Sequence, residues 1–435
     1  MSSALISRAE TWSVREDAAE STLAAGLVAG GVCLALIASP LAFGATSRFS
    51  ALVLVGASWM LFLAWLLGAI LRGRVALLAN PMALPAVCLV AFTTVHWAAG
   101  ISPAPVASEI EWLRWVGYIA LAMAAAGTVD TPHRLRVFCA ALAVAGFVIA
   151  GMGIAQYLTA EGRIYWTWKL ENGGRMFGPY VNRNHFAGLM ELWCPLALGM
   201  ALLPEHSLAQ RWFWATLALV MGGAVVLSGS RGGALSLGVA VIAFAVLIAA
   251  QRAGKRAVIW LMAAMFVTSG AIVALERGSL LERYEAVLRP HQFQQEDATA
   301  YRFAAWKDTA KLIRETPVLG SGLDTFATRF PAARSFSTDL IWTHAHNDFL
   351  QFLAETGAIG GVLALWMLFA GALEATRNLK RASGTATGVL LAGIAAGCIG
   401  FMAHGWLDFN FHIPANASNF AVLASILSIR GWDEA

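Results

Sequence analysis

The stretch VFCAALAVAGFVIAGMGIAQYL, residues 137–158, carries no charge across 22 positions. At 1.5 Å per residue an α-helix of that length spans the hydrocarbon core of a bilayer, roughly 30 Å. Comparable runs recur along the whole 435-residue chain, which is 58% hydrophobic and only 13% charged. A soluble domain carries about a quarter charged residues, so the composition excludes an ordinary soluble enzyme. The fold expected is all-α and polytopic, a membrane protein of about 12 transmembrane helices.

The twelve expected spans are Thr22–Phe43, Ala51–Ile70, Met82–Ala99, Trp112–Val129, Val137–Leu158, Phe186–Leu203, Trp212–Leu227, Ala234–Ala250, Val258–Leu275, Ala358–Leu373, Gly388–His404 and Ile413–Ile429. Residues 1–21 are polar and read as a cytoplasmic tail. The first apolar run lacks a small-x-small cleavage site, so it is expected to be retained as a helix. Residues 22–435 then form a single membrane domain with two long loops, 159–185 and 276–357. The second loop lies between helices 9 and 10 and is large enough to fold, in part as helix. No internal repeat relates the two halves, unlike a carrier built from paired six-helix units. All five cysteines fall inside apolar runs and read as core residues.

Basic residues set the expected orientation. One set of connections holds Arg72, Arg74, Arg134, Arg136, Arg211, Arg252, Lys255, Arg256, Arg377, Lys380 and Arg381. The short connections of the other set hold only Arg48, Arg114 and Arg231. The first set is expected in the cytoplasm, together with both termini. The two long loops then lie outside, and their arginines need a purpose.

The segment YRFAAWKDTAKLIR, residues 301–314, reads as an amphipathic helix with Phe303, Trp306, Ala310 and Ile313 on one stripe. Arg302 is expected at the edge of that stripe, either meeting an anion or snorkelling past its neighbours. Residues 317–322, PVLGSG, stop the helix; their glycines either cradle a phosphate or simply let the chain turn. Next comes THAHNDF, residues 343–349, with His344, His346, Asn347 and Asp348 before a helix. Asn347 or Asp348 suits a helix N-cap. A histidine suits general-base work near neutral pH, or is simply a satisfied polar residue. The H-x-H-x-D spacing resembles a metal-binding turn, but Phe349 stands where that motif needs a further histidine, so no metal is expected. In SGSRGG, residues 228–233, Arg231 is either an interfacial anchor or an anion ligand among small neighbours that admit a large substrate. Arg175 and Arg183 flank residues 176–182 before span six, downstream of Tyr165, Trp166 and Trp168. Arginine suits phosphate through its bidentate fork and permanent charge. There is no Walker loop and no dinucleotide fingerprint, so no nucleotide cofactor and no nucleic acid partner is expected.

These elements together resemble the bacterial O-antigen ligase and polymerase superfamily. They are GPYVNRNHFAG (178–188), SGSRGG (228–233), YRFAAW (301–306), ETPVLGSGLDTF (315–326) and THAHNDFLQFLAETGAIGG (343–361), in that order. The resemblance implies a metal-independent, cofactor-free, inverting glycosyltransferase of the bacterial inner membrane, active on its periplasmic face. Its donor would be an undecaprenyl-pyrophosphate-linked glycan and its acceptor a sugar hydroxyl, on lipid A–core for an O-antigen ligase or on the next repeat unit for a polymerase. Membrane lipids surround it. By motif, Arg231 and Arg302 would bind the pyrophosphate, with Arg183 and Arg175 as weaker candidates. His346 would be the base, with His344 as the alternate, and Glu355 or Asn347 would orient base or acceptor. The rival from another class is an anion transporter of the bicarbonate type.

Overall fold

The structure, a computed structural model, describes residues 23–73, 80–170, 176–251, 270, 298–337 and 341–432. The tail 1–21, nearly all of the ninth expected span (Val258–Leu275), residues 276–297 and Arg175 lie outside the described residues. Helices dominate the rest. In chain order they are α1 (Leu23–Leu41), α2 (Arg48–Leu71), α3 (Ala83–Ala98), α4 (Pro105–Ala126), α5 (Pro132–Thr159), α6 (Arg183–Ala201), α7 (Leu208–Leu227), α8 (Arg231–Ala250), α9 (Ala298–Glu315), α10 (Phe326–Ala333), α11 (Asp348–Arg381), α12 (Ala386–Gly405) and α13 (Pro414–Leu427). A two-stranded hairpin, β1 (Arg163–Ile164) and β2 (Trp168–Lys169), follows α5. Among the described residues seven helices, α1, α2, α5, α7, α8, α11 and α12, are long and apolar enough to cross a membrane.

Helix starts follow local chemistry. Pro105 and Pro132 sit in the first turns of α4 and α5, where a missing N–H costs nothing. Ser47, Thr131, Ser207, Ser230, Asn347 and Thr385 each cap a helix with a side-chain oxygen. Helix α4 begins seven residues before the expected Trp112, because Ser108 donates to the Leu323 carbonyl (2.5 Å) and Glu111 accepts from Arg114 (3.0 Å) and Trp115 (2.9 Å). Helix α11 runs 34 residues, with a break at Gly357 (φ 63°, ψ −165°). The expected tenth span is its second part.

The centre of the bundle is α6. Every residue from His185 to Ala201 is buried. Helix α12 lies against it and against α8, because small residues let the backbones approach. A Cβ at Gly397 would stand 2.7 Å from the Leu192 carbonyl, and one at Gly400 would stand 2.6 Å from the Ala240 methyl. Cys139, Cys194 and Cys398 are buried in this core.

Helices α9 and α10 and the turn before α11 form a cap with its own core. Ala305, Leu312, Phe326, Phe330, Trp342, Ala345 and Ala354 pack there. The buried face of α9 is Ala305, Asp308, Thr309 and Leu312, whereas Phe303 is 62% exposed. The expected stripe through Phe303 is therefore displaced. Burial of Asp308 explains the shift. Its carboxylate accepts from the Ser335 N–H (2.7 Å), the Ser335 hydroxyl (2.9 Å) and Lys311 (2.7 Å), so it is satisfied without water. Arg302, three residues before Ala305, then extends the buried face.

Candidate functional site

The turn between α12 and α13 reads Trp406-Leu-Asp-Phe-Asn410. Its aspartate, Asp408, is completely buried and organises the region. His346 Nδ1 lies 3.1 Å from Asp408 Oδ1. Arg302 donates from Nη2 to Asp408 Oδ2 (3.3 Å) and from Nη1 to the Leu407 carbonyl (2.7 Å). The Asn184 amide donates to Asp408 Oδ2, and the Phe409 N–H to Oδ1 (2.9 Å). Burial alone pushes the Asp408 carboxyl up, but Arg302 and His346 outweigh it and hold Asp408 well below the usual carboxylate range. Asp408 is thus a carboxylate, and His346 donates from Nδ1 to it. In the neutral ring with the proton on Nδ1, Nε2 carries the lone pair.

The chain pays for this placement of His346. Its φ is +51°, a left-handed value rare for a residue with a side chain. Trp306 Nε1 donates to the His346 carbonyl (3.2 Å), and the ring meets Trp342 and Phe409 edge-on at 5.3 and 4.9 Å. A quarter of the His346 side chain is exposed.

Two further sequence elements reach the same carboxylate through one amide. The Ser230 hydroxyl donates to Asn184 Oδ1 (2.7 Å) and also accepts from the Gly233 N–H (3.1 Å). Ser230 caps α8, so Arg231 is the first residue of that helix. Arg183, next to Asn184, is the first residue of α6. The glycines after Arg231 serve helix packing. A Cβ at Gly232 would stand 3.2 Å from His404 Nε2, and one at Gly233 would fall on Ala187. The expectation that these small residues admit substrate is replaced by that packing role.

His344 stacks on Phe409 at 4.2 Å, with Nδ1 3.3 Å from the Gln351 amide. Burial, then His412, His346 and His185, lower its pKa well below the ordinary value. No carboxylate stands behind it among the described residues. Asn347 caps α11, accepting from the Leu350 N–H (3.0 Å) while its amide donates to the Trp406 carbonyl (3.1 Å). It thus ties the two turns together. Asp348 accepts from His412 Nδ1 (2.8 Å) and the Phe411 N–H (3.2 Å). Glu355 accepts from the Asp324 N–H (2.9 Å), the Phe326 N–H (3.3 Å) and Gln351 (3.0 Å). It therefore fixes the start of α10 and reaches His344 only through Gln351.

The glycines of residues 317–322 bind protein, not phosphate. The N–H groups of Gly320, Ser321 and Gly322 donate to the carbonyls of Thr316 (3.0 Å), Ala354 (3.1 Å) and Glu355 (2.9 Å). At the helix break, Ala358 and Ile359 return bonds to the Pro317 and Val318 carbonyls (2.9 and 3.2 Å). Two backbones meet there, and a Cβ at Gly320 would fall on the Glu355 carbonyl.

The arrangement can therefore hold an imidazole over a carboxylate, beside a guanidinium and two helix N-termini. Groups so arranged can serve as a base and as an anion-stabilising surface. The sequence offered one signal for Asp408, an acidic residue in a short connection between two apolar runs.

A comparison with curated proteins gave no match. Residues 216–365, from within α7 to the middle of α11, match the family model described as O-Antigen ligase, so this part of the chain is similar to that family and supports the O-antigen ligase-like resemblance.

Proposed function

We propose that the protein moves a glycan from undecaprenyl pyrophosphate to a sugar hydroxyl, with inversion, at the periplasmic face of the bacterial inner membrane. The observation that carries this reading is the His346–Asp408–Arg302 constellation at the end of the bundle, under the cap. As the acceptor oxygen attacks the anomeric carbon, its proton passes to His346 Nε2. Asp408 orients the ring and stabilises the imidazolium that forms. The glycosidic C1–O bond breaks, and its electron pair goes to the pyrophosphate. Arg231 and Arg183, at two helix N-termini, and Arg302, on Asp408, favour that growing negative charge. Arg302 has a double duty, because its terminal nitrogens already hold Asp408 and Leu407. Its Nε is buried and without a partner among the described residues.

Lipid A–core is the acceptor in the leading reading, as for a ligase. The next repeat unit is the acceptor in the alternative, a polymerase. Radiolabelled lipid-linked glycan, incubated with the purified protein and each acceptor, tests the proposal. Label on lipid A–core supports a ligase, and longer chains on the lipid carrier support a polymerase. Uptake of small anions into proteoliposomes without any transfer would point instead to a transporter and sink the proposal.

A further inference from the structure

Within the buried run of α6, His185–Ala201, one residue is an acid. Glu191 is 0% exposed, and its Oε1 lies 2.8 Å from Nδ1 of His404, which is 1% exposed. The contact is too oblique for a straight hydrogen bond. Glu191 Oε2 and His404 Nε2 have no hydrogen-bond partner among the described residues. An ionisable pair inside a membrane bundle is costly, and packed apolar residues would serve stability as well or better. Its location suggests what it is for.

Asn184, Gly188 and Glu191 recur at i, i+4 and i+7 on one face of α6. That face meets residues 404–410 in three successive contacts. Asn184 bonds Asp408. Gly188 gives way to the Asn410 side chain, since a Cβ there would fall on its amide. Glu191 meets His404. The His404 carbonyl in turn accepts the N–H groups of Leu407 (2.7 Å) and Asp408 (3.0 Å), so the turn offering Asp408 and the Leu407 carbonyl to Arg302 hangs from this residue. The His404 ring also packs against Gly232, one residue after Arg231. One side chain therefore touches α6 and the start of α8, and its backbone carries the Asp408 turn.

We propose that Glu191 and His404 form a positioning pair that sets Asp408 and the first turn of α8 in register for transfer. The inference rests on the glycosyl-transfer reading and adds two residues to it. Both lie outside the motifs that carry the family resemblance.

The test compares Glu191→Leu, Glu191→Gln and the apolar pair Glu191→Leu/His404→Phe with wild type, using labelled lipid-linked glycan and acceptor. Expected are melting temperatures near wild type for the Gln variant and the apolar pair. The Leu variants should lose about 10- to 100-fold in kcat with donor KM within about two-fold, since a displacement near 1 Å can cost that much. The Gln variant, which keeps a polar partner for His404, should recover most of the loss. Wild-type kcat in the apolar pair, or a Gln variant no better than Leu, overturns the proposal. If wild type itself transfers nothing, the functional reading fails, and hydrogen exchange decides the pair separately. Faster exchange of amides 405–410 in Glu191→Leu, restored in Glu191→Gln, supports it; unchanged exchange overturns it.

Discussion

Two turns, residues 344–348 and 408–412, exchange a histidine–aspartate contact in each direction. His346 reaches Asp408, and His412 reaches Asp348. The chemistry is the same, but the surroundings differ. His346 is a quarter exposed, and its carboxylate is shared with Arg302 and Asn184. The His412 and Asp348 side chains are 12% and 4% exposed, and Asp348 spends its other oxygen on a backbone N–H. Burial without an opening makes a clasp. Partial exposure beside a guanidinium suits the base proposed for His346. The comparison teaches that the residue types in THAHNDF do not assign their own roles; the partner on the opposite turn does.

The comparison breaks most sharply at His346. His346→Ala should slow transfer by about 10²–10⁴-fold, the usual worth of a general base, with donor binding and the melting temperature little changed. Steady-state kinetics and a thermal melt check both. Arg302→Lys should cost about 10²-fold in kcat/KM. An ammonium cannot span Asp408 and the Leu407 carbonyl as the guanidinium fork does. A lysine variant with the wild-type rate would remove Arg302 from the chemistry.

On the other side of the comparison, His412→Phe should act on stability first. It strands Asp348 buried and unpaired, at about 3 kcal/mol, while the folded fraction keeps its rate within about ten-fold. A chemical-denaturation series measures the first and kinetics the second. The pH dependence has a definite sign. Burial lowers the His412 pKa, but the Asp348 contact outweighs it and raises it to about 9. The charged clasp therefore contributes fully below the ordinary histidine pKa of about 6.5 and loses its contribution as pH rises through about 9. Melting temperature should fall over that window in wild type and fall less in His412→Phe. The smallest effect is expected at Phe303, which is 62% exposed. Phe303→Ala should change stability by less than about 0.5 kcal/mol, whereas a stripe through Phe303 would have made it a core residue.

Much of this site was legible in the sequence. The apolar runs announced a helical membrane protein, and the turn at residues 343–349 announced the Asn347 cap and offered His346, which meets Asp408. Asp408 was not legible, because its partners Arg302 and His346 lie 106 and 62 positions away. A single aspartate between apolar runs looks like ordinary loop polarity until folding brings them together. The face of α9 was misjudged at Asp308 for a related reason. Periodicity counts a carboxylate as solvent-facing, and only the Ser335 N–H and hydroxyl show that it need not be. The glycines of residues 228–233 and 317–322 suggested room for a ligand, yet their space is taken by neighbouring helices and backbone. Side-chain absence is visible in a sequence; what fills it is not.

The most direct measurement is a double-mutant cycle on transfer rate with His346→Ala, Asp408→Asn and both together. If Asp408 works through the imidazole, the double variant should be about as slow as His346→Ala alone, because the two residues act as a unit. Losses that multiply, or a wild-type rate in Asp408→Asn, would contradict the account.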